Sequence, residues 1–295
     1  MSDATTDGTR GDEGTVTDWT RDDVLTRLRA EVMAGRPIVG SGAGIGLSAK
    51  FAEAGGADLI LIYNSGRFRM AGHGSNAGLL AIGDANAIVM EMGEREVLPV
   101  VTQTPVIAGI NGTDPTRRMS TLLRSATALG FAGVINFPSH GIIDGRWRQS
   151  LELTGFGYDR EVAMIAEAHR QGLFTMAFVF TPEESVAMTD VGVDVVVAHM
   201  GLTVGGSIGA PTDFAIELDE AIGRIEAIAS AAREQRPDVL VVCHGGPIAT
   251  AADVEYVLGR SSAVGFIGAS SVERLPVETA LQATVARFKT IPLRR

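Results

Sequence analysis

The chain has 295 residues, 45% of them hydrophobic and 20% charged, enough for a sizeable buried core and a little more than the roughly 250 residues of one (β/α)8 barrel. A net charge of −10 argues against nucleic acid or an anionic membrane as partner, since both need a positive field, but it leaves room for a small anionic metabolite held by local arginines. One cysteine, Cys243, excludes an internal disulfide; with no leader-like pattern and no apolar run of membrane-spanning length, a cytoplasmic protein is expected.

Residues 1–18 are rich in Thr, Gly, Asp and Glu without periodicity, so a disordered tail is expected there and one barrel domain over 19–295. Thr20 offers an N-cap to an amphipathic helix that ends near Gly35 and covers the barrel bottom. From Pro37 the chain alternates strand and helix. Eight apolar segments read as strands: Pro37–Ser41, Asp58–Tyr63, Pro105–Ile110, Gly133–Phe137, Phe174–Phe180, Val193–His199, Val239–His244 and Gly265–Gly268. Several are continuously apolar, as parallel strands buried on both faces must be. Val97–Val101 is a further apolar segment that extends the third. The intervening helices start at Ser48, Asp114-Pro115, Asp159, Thr181-Pro182, Asp219, Thr250 and Pro276.

The connections are unequal. Helix-to-strand links are short, whereas strand-to-helix links are long after strands two (64–83), four (138–158) and six (200–218). A single (β/α)8 TIM barrel with an N-terminal capping helix puts those long links on one face, where functional groups converge.

Polar residues at that face are the site candidates. Ser41 and Gly42 end strand one; the glycine cluster GSGAGIGLSAK after it is no dinucleotide fingerprint, because strand two ends in Tyr63-Asn64 rather than an acid. Asn64, Ser65, Arg67 and Arg69 follow strand two, and the arginines suit a carboxylate or phosphate clamp, or else pair with nearby acids. Asn111 and Asn136, ending strands three and four, can orient substrate oxygens or hold loops. His199 and His244 each end an apolar strand, where an imidazole serves as acid, base or metal ligand. Cys243 beside His244 falls on the opposite strand face and is no nucleophile. Gly245, Gly246, Ser270 and Ser271 lie on the loops after strands seven and eight, a common place for anion binding. Glu273 acts in the site or bridges across the rim. Asp114 is read as a helix cap. Only Lys50 and Lys289 are lysines and neither ends a strand, which disfavours Schiff-base chemistry.

Together the strings GAGIGLSAK, DLILIYNSGRFRMAG, GDANAIVMEM, PVIAGINGTDP, GVINFPS, HMGLTVGGSIGA, CHGGPIA and FIGASSVERLPVE resemble the phosphoenolpyruvate hydrolase-like family, also described as TIM-barrel signal transduction proteins. The chain is similar as well to the C-terminal domain of plant Tm-1-type virus-resistance proteins. The resemblance implies a hydrolase or lyase that cleaves a C–C or C–P bond next to the carbonyl of a small anionic 2-oxo acid. By analogy with phosphonopyruvate hydrolase and isocitrate lyases it implies a divalent metal, Mg2+ or Zn2+, although no acidic cluster or lyase-type cysteine loop stands out. In this reading Arg67 or Arg69 and the glycine-rich loops hold the acid group, His199 or His244 transfers protons, and the sixth loop closes over the substrate. A non-catalytic metabolite-sensing module is the alternative. A homo-oligomer is expected.

Overall fold

The computed structural model describes residues 18–294; the tail expected over 1–18 lies, save its last residue, outside them. Thr20 opens the first helix, α1 (Arg21–Met33), with a reciprocal cap in which its hydroxyl accepts the Asp23 N–H and the Asp23 carboxylate accepts the Thr20 N–H, satisfying two otherwise free donors. Val24, Leu25 and Leu28 of α1 pack with Ile38, Leu59 and Leu240. The helix therefore plugs the barrel where its strands begin.

The strands are β1 (Ile38–Ala43), β2 (Leu59–Ile62), β3 (Val106–Ile110), β4 (Gly133–Asn136), β5 (Phe174–Val179), β6 (Val195–His199), β7 (Leu240–His244) and β8 (Gly265–Gly268). They pair in parallel, each with the next, and β8 closes on β1. All eight expected segments form strands. Apart from Val39, every strand residue is buried, because one side of each strand fills the interior while the other meets the helices. Ile38, Leu61, Ile107, Phe178, Val197 and Ile267 belong to the inner core; Ile60, Ala108, Val134, Val196 and Cys243 belong to the outer one.

The outer elements are α2 (Gly46–Ala54), α3 (Asn64–Met70), α4 (Ala85–Met92), α5 (Met119–Leu129), α6 (Gly145–Leu153), α7 (Tyr158–Arg170), α8 (Pro182–Asp190), α9 (Leu218–Gln235), α10 (Ala251–Leu258) and α11 (Arg274–Lys289). Thr181 and Thr250 cap α8 and α10 as expected, with Pro182 in the first turn of α8. Elsewhere the starts differ. α2 begins before Ser48, whose hydroxyl is turned to the Ile45 carbonyl and to Glu273. Asp114 is no helix cap: α5 begins at Met119, and the carboxylate instead folds onto Thr116 and accepts bonds from Asn86 and Arg117. Pro276 sits inside the first turn of α11. Val97–Val101 is not strand; Val97 ends a π-helical turn that continues α4, and both valines are buried in the outer core. The connection after β2 is not irregular, since α3 starts at once and a 3-10 turn (Ser75–Leu79) follows. No helix among the described residues is long and apolar enough to cross a membrane.

Candidate functional site

At the C-terminal end of the strands a cavity of about 370 Å³ opens, walled by Tyr63, Phe137, Phe178, His199, His244 and Ala269, rimmed by Ser65, Arg69 and Ser270, and roofed by the tips of the second and sixth loops, including Ser75, Ile208, Pro211 and Phe214. Of the sequence candidates it unites Ser65, Arg69, His199, His244 and Ser270.

β6 and β7 end in register, His199 opposite His244, and their rings meet at 4.7 Å between centroids in an edge-on arrangement. Phe178 on β5 lies 5.0 Å from one ring and 5.2 Å from the other. The two imidazoles are held in opposite tautomers. His199 Nδ1 faces the backbone N–H of Gly201 at 3.0 Å, so it accepts, and Nε2 carries the proton. His244 Nδ1 faces the Ile267 carbonyl at 2.6 Å, so it donates, and Nε2 is left with a lone pair. Burial, with the neighbouring imidazole, pushes His199 well below the usual histidine range; burial pushes His244 down to about 4, assisted by the Arg69 charge. Both rings are neutral at neutral pH. The pair thus offers one N–H donor and one basic nitrogen side by side.

Arg69 supplies the cavity's positive charge. Its Nη2 and Nε bond Glu273 Oε2 at 2.9 and 3.3 Å, and both side chains are almost fully buried. Glu273 Oε1 also accepts the Gly44 N–H at 2.6 Å and the Ser48 hydroxyl at 2.5 Å. Glu273 therefore stands behind Arg69 and fixes it, rather than facing the cavity; as an expected catalytic group it is displaced to a positioning place.

Other candidates lie off the cavity wall. Arg67 is paired with Glu96 at 2.6 Å. Asn64 spends its amide on the Gly78 carbonyl, tying down the second loop. Asn111 accepts from Thr113. Asn136 is wholly buried, bridging β4 to both backbone groups of Phe178 and donating to Glu161. Ser41 and Gly42 are buried in β1, and a Cβ on Gly42 would press on Ala269 at 3.1 Å. Gly245 and Gly246 have φ of +76° and +58°, and the Gly246 N–H is used by the Gly201 carbonyl. They seat the start of the sixth loop instead of cradling an anion. Ser271 turns back toward β8, close to Gly268.

Sequence reasoning missed the aromatic wall. Tyr63 was visible only as the residue where a nucleotide-binding acid is missing, yet its buried hydroxyl has no partner among the described residues and its ring lines the cavity 5.0 Å from Phe137. A lone tyrosine ending an apolar strand was the available signal.

A profile of the phosphoenolpyruvate hydrolase-like family matches residues 23–291. The chain belongs to this family. It is 55% identical over 271 residues to the ToMV susceptible protein tm-1(GCR26) of Solanum lycopersicum, a match covering 92% of this chain and 36% of that protein; the chain thus spans about a third of that relative's length. Among solved structures it resembles phosphoenolpyruvate phosphomutase from Streptomyces platensis subsp. rosaceus, with a TM-score of 0.60 and 16% identity over 90% of this chain and 87% of that one. It also resembles phosphonopyruvate hydrolase in complex with oxalate and Mg2+, at 0.54 and 20% over 90% and 87%. At such identities the likeness is one of fold.

The phosphonopyruvate hydrolase structure of the same fold, which holds Mg2+, raises the question of a divalent ion. Mg2+ prefers oxygen ligands, chiefly carboxylates, and no Asp or Glu among the described residues lines this cavity. Zn2+ needs three or four protein ligands, and no three His, Cys, Asp or Glu side chains converge among the described residues. The donor set does not fit either metal.

Proposed function

We propose that the protein is a hydrolase or lyase acting on a small anionic 2-oxo acid, cleaving the C–C or C–P bond next to its carbonyl. The observation that carries this reading is the pair His199–His244 locked in opposite tautomers beside Arg69. Arg69, with its Nη1 not engaged by Glu273, binds the carboxylate, with Ser65 and Ser270 at hand as further donors. The His199 Nε2–H is aimed to bond the carbonyl oxygen and to strengthen that bond as negative charge develops. His244 Nε2 takes a proton from water, whose oxygen adds to the carbonyl carbon. Collapse of the adduct breaks the C–C bond to that carbon, the electron pair leaves with the departing fragment, and His244 returns the proton to it. With a C–P bond one carbon away the water oxygen adds to phosphorus instead, the electron pair leaves as the enolate, and His244 protonates that enolate. The aromatic wall and the sixth loop exclude bulk water and so strengthen these interactions. The phosphonopyruvate hydrolase that shares the fold, crystallised with oxalate, supports a small planar acid as ligand.

A metabolite-sensing module is the second reading, favoured by the lack of a cavity-lining carboxylate among the described residues. A thermal-shift screen of 2-oxo acids followed by turnover assays tests both. Oxo acids are expected to raise the melting temperature, since a ligand that binds only the folded state stabilises it. His244→Asn is expected to lower turnover by about 10²–10⁴-fold, the range for general acid–base groups. Binding without turnover in the wild type selects the sensor; no shift with any 2-oxo acid overturns both.

A further inference from the structure

The mouth of the barrel is divided into a polar arc and an apolar one. In the closed sheet β6, β7, β8, β1 and β2 are consecutive. The ends of four of them, with the residues just beyond, carry the groups assigned to the reaction: His199, His244, Ser270, Ser65 and Arg69. On the other arc, the ends of β4 and β5 line the cavity with Phe137, Ile142 and Phe178, and the second and sixth loops add Leu79, Leu202 and Ile208. Of these six only Phe178 is buried, so the other five keep carbon surface for a ligand to cover. The Phe137 and Phe178 rings stand 6.2 Å apart between centroids, and Tyr63 joins them at 5.0 and 5.9 Å.

The cavity is also matched to a single negative charge. Arg69 is the one arginine or lysine that lines it among the described residues, and its charge is already shared with Glu273. Neighbouring arginines are committed elsewhere: Arg67 to Glu96, Arg148 to Glu152 and Glu184, and Arg274 to Glu278 and the Gly205 carbonyl. A second carboxylate or a phosphonate would enter among leucine, isoleucine and phenylalanine with no partner, and an unpaired charge in such surroundings is costly. The space is large for a bare oxo acid. A cavity of about 370 Å³ holds on the order of a dozen water-sized atoms at about 30 Å³ each, roughly twice what pyruvate needs.

Bond cleavage sets a further condition. The donor set fits neither metal, and no lysine lines the cavity among the described residues, so the departing carbon must hold the electron pair through its own substituent. A carbonyl beside that carbon does so, because the pair spreads onto its oxygen as an enolate. Resting on the hydrolase reading, we propose that the substrate is a singly charged 2,4-dioxo acid, an acylpyruvate whose alkyl or aryl end lies against Phe137, Ile142 and Phe178. Water adds its oxygen to C2 and gives a proton to His244 Nε2. The C2–C3 bond then breaks, its electron pair leaves as the enolate of a methyl ketone, and His244 protonates C3. Oxalate and the methyl ketone are the products, and water is the only co-reactant.

Acetylpyruvate and oxaloacetate make the decisive pair, since they differ only by a methyl group in place of a carboxylate oxygen. Thermal shift and turnover are measured on the full chain with both, and with butanoylpyruvate and phosphonopyruvate. Acetylpyruvate is expected to release oxalate with a kcat/KM about tenfold or more above that of oxaloacetate, whose second charge finds no partner. Butanoylpyruvate is expected to gain about fourfold for each added methylene, equivalent to ~0.8 kcal/mol. Phe214→Arg, at an exposed lining position in the sixth loop, is expected to narrow the preference for acetylpyruvate over oxaloacetate by about threefold, as an exposed ion pair would. A wild type that prefers oxaloacetate or phosphonopyruvate, or that splits acetylpyruvate to pyruvate and acetate, overturns the substrate class and leaves the hydrolase standing. Tighter binding of acetylpyruvate without turnover overturns the hydrolase and leaves the ligand class standing. Neither binding nor turnover with any of the four overturns both.

Discussion

Tyr63 concentrates the tension between stability and binding in one atom. Its hydroxyl is buried at the cavity with no partner among the described residues, and the cost of an unsatisfied buried donor is about 1–3 kcal/mol. Burial pushes the phenol far above its ordinary range, so the group stays a neutral donor. Tyr63→Phe is therefore expected to melt at the same temperature as the wild type or higher. The shift produced by a 2-oxo acid is expected to shrink, because the ligand loses a donor. Thermal denaturation with and without ligand checks both. The neighbouring ion pair behaves oppositely. Glu273→Gln leaves the Arg69 charge buried without its counter-charge, at an expected cost of about 3–5 kcal/mol, whereas Arg69→Met/Glu273→Met recovers most of that loss. Urea denaturation of the single and double variants measures it, and additive losses would contradict a coupled pair. The histidines were legible in the sequence because each is a polar break at the end of an apolar run. That Arg69 faces the cavity while Arg67 faces Glu96 was not, since two residues on one helical turn differ only in the angle at which they leave it.

At the scale of elements, a relay of buried polar bonds sets the histidine pair. Glu161 on α7 bonds Asn136 at 2.6 Å and the His140 N–H at 2.7 Å; Asn136 closes both backbone groups of Phe178; Phe178 packs on both imidazoles. Asn136→Ala is expected to cost roughly 3 kcal/mol, since it strands buried partners on β5 and α7, and to lower turnover without touching substrate. Asn136→Asp keeps an acceptor for the Phe178 N–H but sets a second carboxyl against Glu161, so it is not expected to rescue. Chemical denaturation beside kinetic assays tests this pair. The strands themselves could be read directly because apolar runs this short, bounded by turn residues, have few other uses in a chain of this length. Helix starts were less legible. Asp114 looks like a cap by its proline neighbour, but its oxygens are taken by Thr116, Asn86 and Arg117, partners that only the folded third loop supplies.

For the whole molecule, three buried groups act on stability with opposite sign. His244 titrates at about 4 and His199 well below the ordinary histidine value of 6.5. The unfolded chain thus binds more protons at these histidines than the native one below about pH 6.5, and they make stability rise with pH there. Burial, outweighing its three hydrogen bonds, pushes Glu161 up to about 8. The native state then holds one proton that the unfolded state has released between about pH 4.5 and 8, so this group lowers stability as pH rises. Between about pH 4.5 and 6.5 His244 and Glu161 offset each other at about 1.4 kcal/mol per pH unit each, and His199, with His140 also lowered by burial, tips the balance so that stability rises with pH. Above 6.5 the histidines no longer contribute while Glu161 still does, and the slope changes sign. Unfolding free energy is expected to peak near pH 6.5 and to fall on going to pH 4.5. In Glu161→Gln the decline between pH 6.5 and 8 is expected to flatten, while the acid side steepens by about 1.4 kcal/mol per unit. Denaturation at half-unit pH intervals distinguishes these curves; a wild type that gains stability from pH 6.5 to 8 would show that Glu161 is ionised in the native barrel.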